Sequence, residues 1–119
     1  IQKFTVERNY LLRDSAIQEF LQALAFLSKV QPSKTISTAA GSYRLKHIAE
    51  NFCAQYPTGE RIQTNYVSNG AMIAAAIHRG FRYRRHQDGF GDYSINVSFN
   101  MAKSLVRKLD KEIRNLDYL

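Results

Sequence analysis

Apolar residues fall along this chain in two rhythms, one helical and one alternating. Ile17, Phe20, Leu21, Leu24, Leu27 and Val30 recur at three- and four-residue steps and predict a helix over about 15–31. Ser15, with Gln18 three residues later, matches a capping box at its start, and Pro32 stops it. Ala23, Ala25 and Phe26 widen the apolar arc, so this helix is expected to be buried on more than one face, within the domain or against a second copy. Ahead of it, Phe4 and Val6 alternate with polar neighbours in a short candidate strand over 2–7. Behind it, residues 33–42 hold Ile36 as their one large apolar side chain and read as a loop. Helical spacing returns with Leu45, Ile48, Ala49, Phe52 and Cys53 over 43–55, before Tyr56-Pro57-Thr58-Gly59 breaks it.

Ser68 is a candidate N-cap, because its hydroxyl can accept a free N–H of a helical first turn. Met72, Ile73, Ala76 and Ile77 form the stripe of a third helix over about 69–79, with Ala71, Ala74 and Ala75 keeping it slim enough for close packing. Asn69-Gly70 also suits a tight turn, which would start that helix a residue or two later. Gly80 stands where a left-handed helix end is expected. From there the period becomes two. Phe81 and Tyr83 alternate with Arg82 and Arg84, and Tyr93, Ile95, Val97 and Phe99 alternate with Ser94, Asn96 and Ser98. Two alternating runs around an Asp88-Gly89 turn predict a β-hairpin. Asn100 is read as the cap of a last helix carrying Met101, Leu105, Leu109, Ile113 and Leu116 on one stripe. No repeat, low-complexity tract or linker divides the chain. The prediction is a single α+β domain over 1–119, small and helical, with an antiparallel β-hairpin.

Composition adds one departure from the ordinary. The 119 residues are 45% hydrophobic and 23% charged, enough for one core, with no apolar run of membrane-spanning length and no signal-peptide pattern at the start. A cytoplasmic protein is expected, and Ile1 in place of Met suggests a few residues further upstream. A single cysteine, Cys53, excludes an internal disulfide and a Cys-rich metal site, and no cofactor is expected. Lys and Arg number 17 against 10 Asp and Glu, a net charge of +7. That excess is local. Residues 1–60 carry seven bases and five acids, whereas 61–119 carry ten bases and five acids. His78 to Gln87 holds Arg79, Arg82, Arg84 and Arg85 with His78 and His86 and no carboxylate. Lys103 and Arg107 add basic positions to the last helix. Such a cluster points to a polyanion.

The run Val67-Ser68-x-Gly70, the alanines Ala74 to Ala76, Gly80-Phe81, Arg84-Arg85 and Gly89-x-Gly91-x-Tyr93-x-Ile95 together resemble a winged helix-turn-helix module over about 43–99. The resemblance implies a DNA-binding regulator or accessory factor, with DNA ahead of RNA as its partner. In it Ser68 and Asn69 begin the recognition helix, and His78, Arg79, Arg82, Arg84 and Arg85 occupy that helix's far end and the wing. Two features depart from the pattern. The connection from Cys53 to Ser68 exceeds the usual short turn, and the third helix offers almost no long polar side chain before His78. Reading base edges needs such side chains, so the basic residues are expected to grip phosphates, which position a protein without specifying sequence.

Two other classes stay open. A protein-interaction module, such as a mobile-element-encoded inhibitor or adaptor, would turn its basic face to an acidic protein and extend a sheet from the 93–99 stretch; a homodimer through the last helix fits the same pattern. A small metal-independent ribonuclease would use His78 or His86 as general base beside Arg82 or Arg84. No metal-ligand spacing links His47, Cys53, His78 and His86. Cys53, on the apolar side of its helix, is expected to be a buried small hydrophobe.

Overall fold

The computed structural model describes residues 14–53, 58, 64–87 and 93–114, with the main chain alone for Gln87, Tyr93 and Ser94. The candidate strand over 2–7 lies outside them. In chain order the elements are α1 (Asp14–Leu27), β1 (Pro32–Gly41), α2 (Ser42–Ala49), α3 (Asn69–His78), β2 (Tyr83–Gln87), β3 (Tyr93–Met101) and α4 (Lys103–Ile113). The three strands form one antiparallel sheet in the order β1-β3-β2. A strand between the first two helices, a third helix, then a hairpin and a closing helix give an α+β domain of winged-helix-like arrangement. None of the described helices is long and apolar enough to cross a membrane.

The long first helix forms but ends at Leu27, four residues short of the expected 31 and before Pro32 is reached, and it turns a different stripe inward. Its buried residues are Ala16, Glu19, Ala23, Phe26 and Leu27. Ile17 and Leu21 are about half exposed. The reason lies in α3, which packs along α1 and brings Ala71, Ala75 and Ala76 into the core. Small residues on both helices permit close approach, and Phe26, Leu27 and Met72 are buried with the alanines in the same core. Ser15 sits inside the helix and not at its cap. After Leu27 the chain tightens into turns, with Lys29 and Val30 donating to Phe26 and Leu27 carbonyls, and Val30 still enters the core.

β1 occupies the segment expected to be a loop. Ser, Thr, Lys and Ala give it no alternating pattern, and its burial is accordingly mixed. Its strand character comes from pairing. Pro32 sits opposite Met101, Ser37 opposite Phe99 and Gly41 opposite Ser98, with irregularities between. Pro32 is tolerated because β1 is an edge strand.

β3 is the central strand, and Val97 through Met101 are all buried. β3 is paired with β2 along 93–99 but with β1 only from Ser98 to Met101. The edge expected to extend a sheet is therefore closed at Ser98 and Phe99 and, among the described residues, has no strand beside it before Ser98. Ser98 is buried and bonded to His86 Nε2 at 2.8 Å. Asn100 is likewise a sheet residue. α4 begins after Ala102, which provides no side-chain cap. Val106 and Leu109 fix α4 to the core, and Asp110 on its flank accepts from Arg44 of α2 at 3.0 Å.

α2 ends at Ala49, well short of the expected 55. Side chains take over two of its last carbonyls: Gln22 Nε2 donates to Ala49 O at 2.8 Å, and Asn51 Nδ2 to His47 O at 2.8 Å; Gln22 Nε2 also reaches the Phe52 carbonyl beyond the helix at 2.7 Å. Satisfied carbonyls need no further helical turn. Cys53 therefore falls beyond the helix and is only partly buried.

Candidate nucleic-acid interface

The start of α3 is built as the sequence indicated. Ser68 Oγ accepts the Ala71 N–H at 3.1 Å, and α3 begins at Asn69 without delay. The Ser68 N–H donates to Oε1 of buried Glu19 at 2.7 Å, fixing the helix end onto α1. Asn69 turns sideways: its Nδ2 donates to the Ile95 carbonyl at 2.9 Å, joining α3 to the hairpin. Its Oδ1 has no hydrogen-bond partner among the described residues. The outward positions of α3 are Gly70, Ala74, Ile77 and His78. Before His78 this face offers no donor for a base edge.

The far end of α3 closes in a Schellman motif. Phe81 N donates to Ala76 O and Gly80 N to Ile77 O, both at 3.0 Å, with Gly80 at φ 89°. Buried Phe81 and Ala76 supply the apolar contact that accompanies the motif. Arg79 is thereby presented at the surface, beside a shallow cavity of about 160 Å³ lined by Ser28, Gln31, Pro32 and Phe81. His78 packs edge-on against Phe20, ring centres 5.6 Å apart.

On β2 the arginines divide between the two faces of the sheet. Arg84 pairs with Ser98, so Arg84, Ser98 and Asn100 share a face, joined by His86 through its bond to Ser98. Arg82 belongs with them. Its N–H donates to Asn100 Oδ1 at 2.6 Å, and its Nη2 reaches across β3 to the Lys34 carbonyl on β1. Tyr83 and Arg85 pair with Phe99 and Val97 and so lie on the core-side face, at its exposed rim. Lys34, which lay in the expected loop, becomes part of the basic surface because β1 is a strand.

Lys103 and Arg107 are exposed, but α4 packs against β1 and α2, on the opposite flank of the sheet from β2. The structure brings Arg82 and Arg84 together and leaves Lys103 and Arg107 apart from them. Ser68 and Asn69 serve the helix cap and the hairpin junction.

Charge neutralisation separates the bases into two groups. Arg44 and Arg114 share Asp110, at 3.0 and 2.6 Å, and Lys46 lies 3.7 Å from Glu50. Arg79, Arg82 and Arg84 have no ion pair among the described residues, and all three are exposed. His78 and His86 stand in separate environments, one against Phe20 and the other on Ser98. Among the described residues no three His, Cys, Asp or Glu side chains gather as a metal site.

One cluster gave no sequence signal. Lys46 is buried, with its Nζ 4.7 Å from the Tyr66 ring centre and 5.7 Å from that of Tyr43. His47 meets Tyr43 edge-on at 4.6 Å and bonds Glu50 Oε1 at 2.7 Å. Tyr43 and Lys46 are neighbours on α2 by their spacing, but Tyr66 reaches them only through the fold.

No protein-family model, curated protein or solved structure matches the chain.

Proposed function

We propose that this domain is a cytoplasmic nucleic-acid-binding factor, DNA ahead of RNA, that holds phosphates on its hairpin. The observation that carries this reading is the pair Arg82 and Arg84, exposed on one face of an edge strand without a carboxylate among the described residues. Elsewhere in the domain Arg44, Arg114 and Lys46 have acidic partners. Exposed, unneutralised guanidinium groups are suited to phosphate oxygens, which they can bind in bidentate fashion. The apolar outward face of α3 argues for backbone gripping over base reading, so binding should be strongly salt-dependent and weakly sequence-dependent.

Fluorescence anisotropy with labelled duplex DNA across a salt series tests this. Replacing Arg82, Arg84 and Arg85 by Ala should weaken binding and reduce the log–log salt slope by about 0.9 for each phosphate that is no longer neutralised. An unchanged slope and affinity in that variant would remove the hairpin from the reading.

A second reading, an interaction module or homodimer, is favoured by one observation. Ile95 is 80% exposed beside the start of α3, and Ile77 on α3 is 45% exposed. Light scattering decides it: Ile77→Asp with Ile95→Asp should convert a dimer to a monomer, and a parent that is already monomeric excludes the homodimer.

A further inference from the structure

We infer that Tyr43 and Tyr66 form a stacking platform for unpaired nucleobases, which extends the nucleic-acid reading above and rests on it. Both tyrosines are more than half exposed, at 57% and 59%. Exposed aromatic side chains are usually loosely held, but these two are fixed. The buried Lys46 ammonium sits within 4.7 Å of one ring centre and 5.7 Å of the other, and the His47 edge meets Tyr43. Lys46 is itself held by Glu50, whose Oε2 also accepts the Val67 N–H at 3.3 Å. The chain segment carrying Tyr66 is thus tied to the helix carrying Tyr43.

Charge and shape then select the ligand. Glu50 neutralises Lys46 and contacts His47, so the cluster offers no spare cation for a phosphate. Lys46 fills the space a cationic guest would need. What remains open is flat aromatic surface, the partner for the π-face of a base, and such stacking tolerates any sequence. Bases inside a duplex are already stacked on each other, so the platform selects single-stranded or unpaired nucleotides.

The platform also adjoins the basic hairpin. Ser42, next to Tyr43, accepts the Val97 N–H at 3.1 Å, and Val97 pairs with Arg85 on β2. Ser68, two residues after Tyr66, precedes Asn69, which bonds Ile95. Both tyrosines therefore stand at helix starts tied to the same short stretch of β3, whose Val97 pairs with Arg85 on β2.

The test compares a fluorescein-labelled oligothymidylate of about 12 nucleotides with a duplex of equal length. Tyr43→Leu with Tyr66→Leu keeps apolar bulk but removes the flat rings, and should weaken single-strand binding about tenfold or more while leaving the salt slope and duplex affinity unchanged. Tyr43→Phe with Tyr66→Phe should bind the single strand as the parent does. Loss of single-strand binding in the Phe variant, or its retention in the Leu variant, overturns the platform. If the parent binds neither probe, the nucleic-acid reading itself fails; if it binds the duplex and ignores the tyrosines, only the platform does.

Discussion

Arg82 and Asn100 hold each other across the β2–β3 ladder: Asn100 Oδ1 accepts the Arg82 N–H at 2.6 Å, and the Asn100 N–H donates to the Arg82 carbonyl at 3.1 Å. Asn100 Nδ2 then donates to the Ser33 carbonyl on β1 at 3.0 Å. One buried side chain therefore spans all three strands at the end of the sheet where the first arginine of the patch is rooted.

Removing it leaves a donor on β2 and an acceptor on β1 without that partner. Asn100→Ala should cost about 1–2 kcal/mol, since Arg82 is exposed and Ser33 half-buried and water can replace part of what is lost. Urea denaturation measures it. A loss below about 0.5 kcal/mol would show that water replaces the side chain freely.

Arg82 and Arg84 should separate in their effects. Arg82 contributes a guanidinium bond to the Lys34 carbonyl, whereas Arg84 has no carboxylate partner among the described residues. Arg84→Ala should leave stability within about 0.5 kcal/mol, as for most surface substitutions, while lowering the salt slope of nucleic-acid binding. Arg82→Ala should lower both, with a stability loss of about 1 kcal/mol. Paired denaturation and binding titrations distinguish the two.

Gly80 adopts φ 89°, and a Cβ there would meet nothing within 4 Å. Gly80→Ala therefore carries a backbone cost alone, about 1–2 kcal/mol. Gly80→Asn should cost less, because Asn tolerates the left-handed region better. Equal losses for both variants, measured by thermal melting, would place the cost in packing instead.

Asp110 carries the pH dependence that can be assigned. The hydrogen bond from Arg114 holds its carboxyl below the ordinary value of 3.8; burial opposes this, and Arg44 reinforces it. A folded-state pKa below the unfolded one stabilises the protein above the unfolded value, and that contribution disappears as pH falls through the folded one. Asp110→Asn should cost about 1 kcal/mol at neutral pH, since its arginines are partly exposed and screened, and should flatten the acid limb of the stability profile below about pH 4. An acid limb identical to the parent's would assign that limb to other carboxyl groups.

Local chemistry made much of this domain legible in the sequence. Ser68 needs only a nearby N–H to cap a helix, and Gly80 only its own missing Cβ to end one, so both were readable from their neighbours. The period change after Gly80 marked the hairpin because alternation reports a strand with two unlike faces. Arg82 and Arg84 were readable as a charged face for the same reason.

What the sequence left open depended on partners distant in the chain. Pro32–Gly41 has no strand pattern and is a strand because β3 offers it a ladder. α2 stops at Ala49 because Gln22, from another helix, takes its carbonyl. Asn100 has the residue type of a helix cap, yet burial between Arg82 and Ser33 makes it a sheet clamp. Tyr66 meets Lys46 only after the chain returns to α2. The sequence by itself determined the α+β class, the two ends of α3 at Ser68 and Gly80, and the basic hairpin, since each rests on residues a few positions apart. Tertiary structure alone decided the third strand, the inward face of α1, which arginines share a face, and the aromatic pair around Lys46, since each requires contacts between residues that only folding brings together.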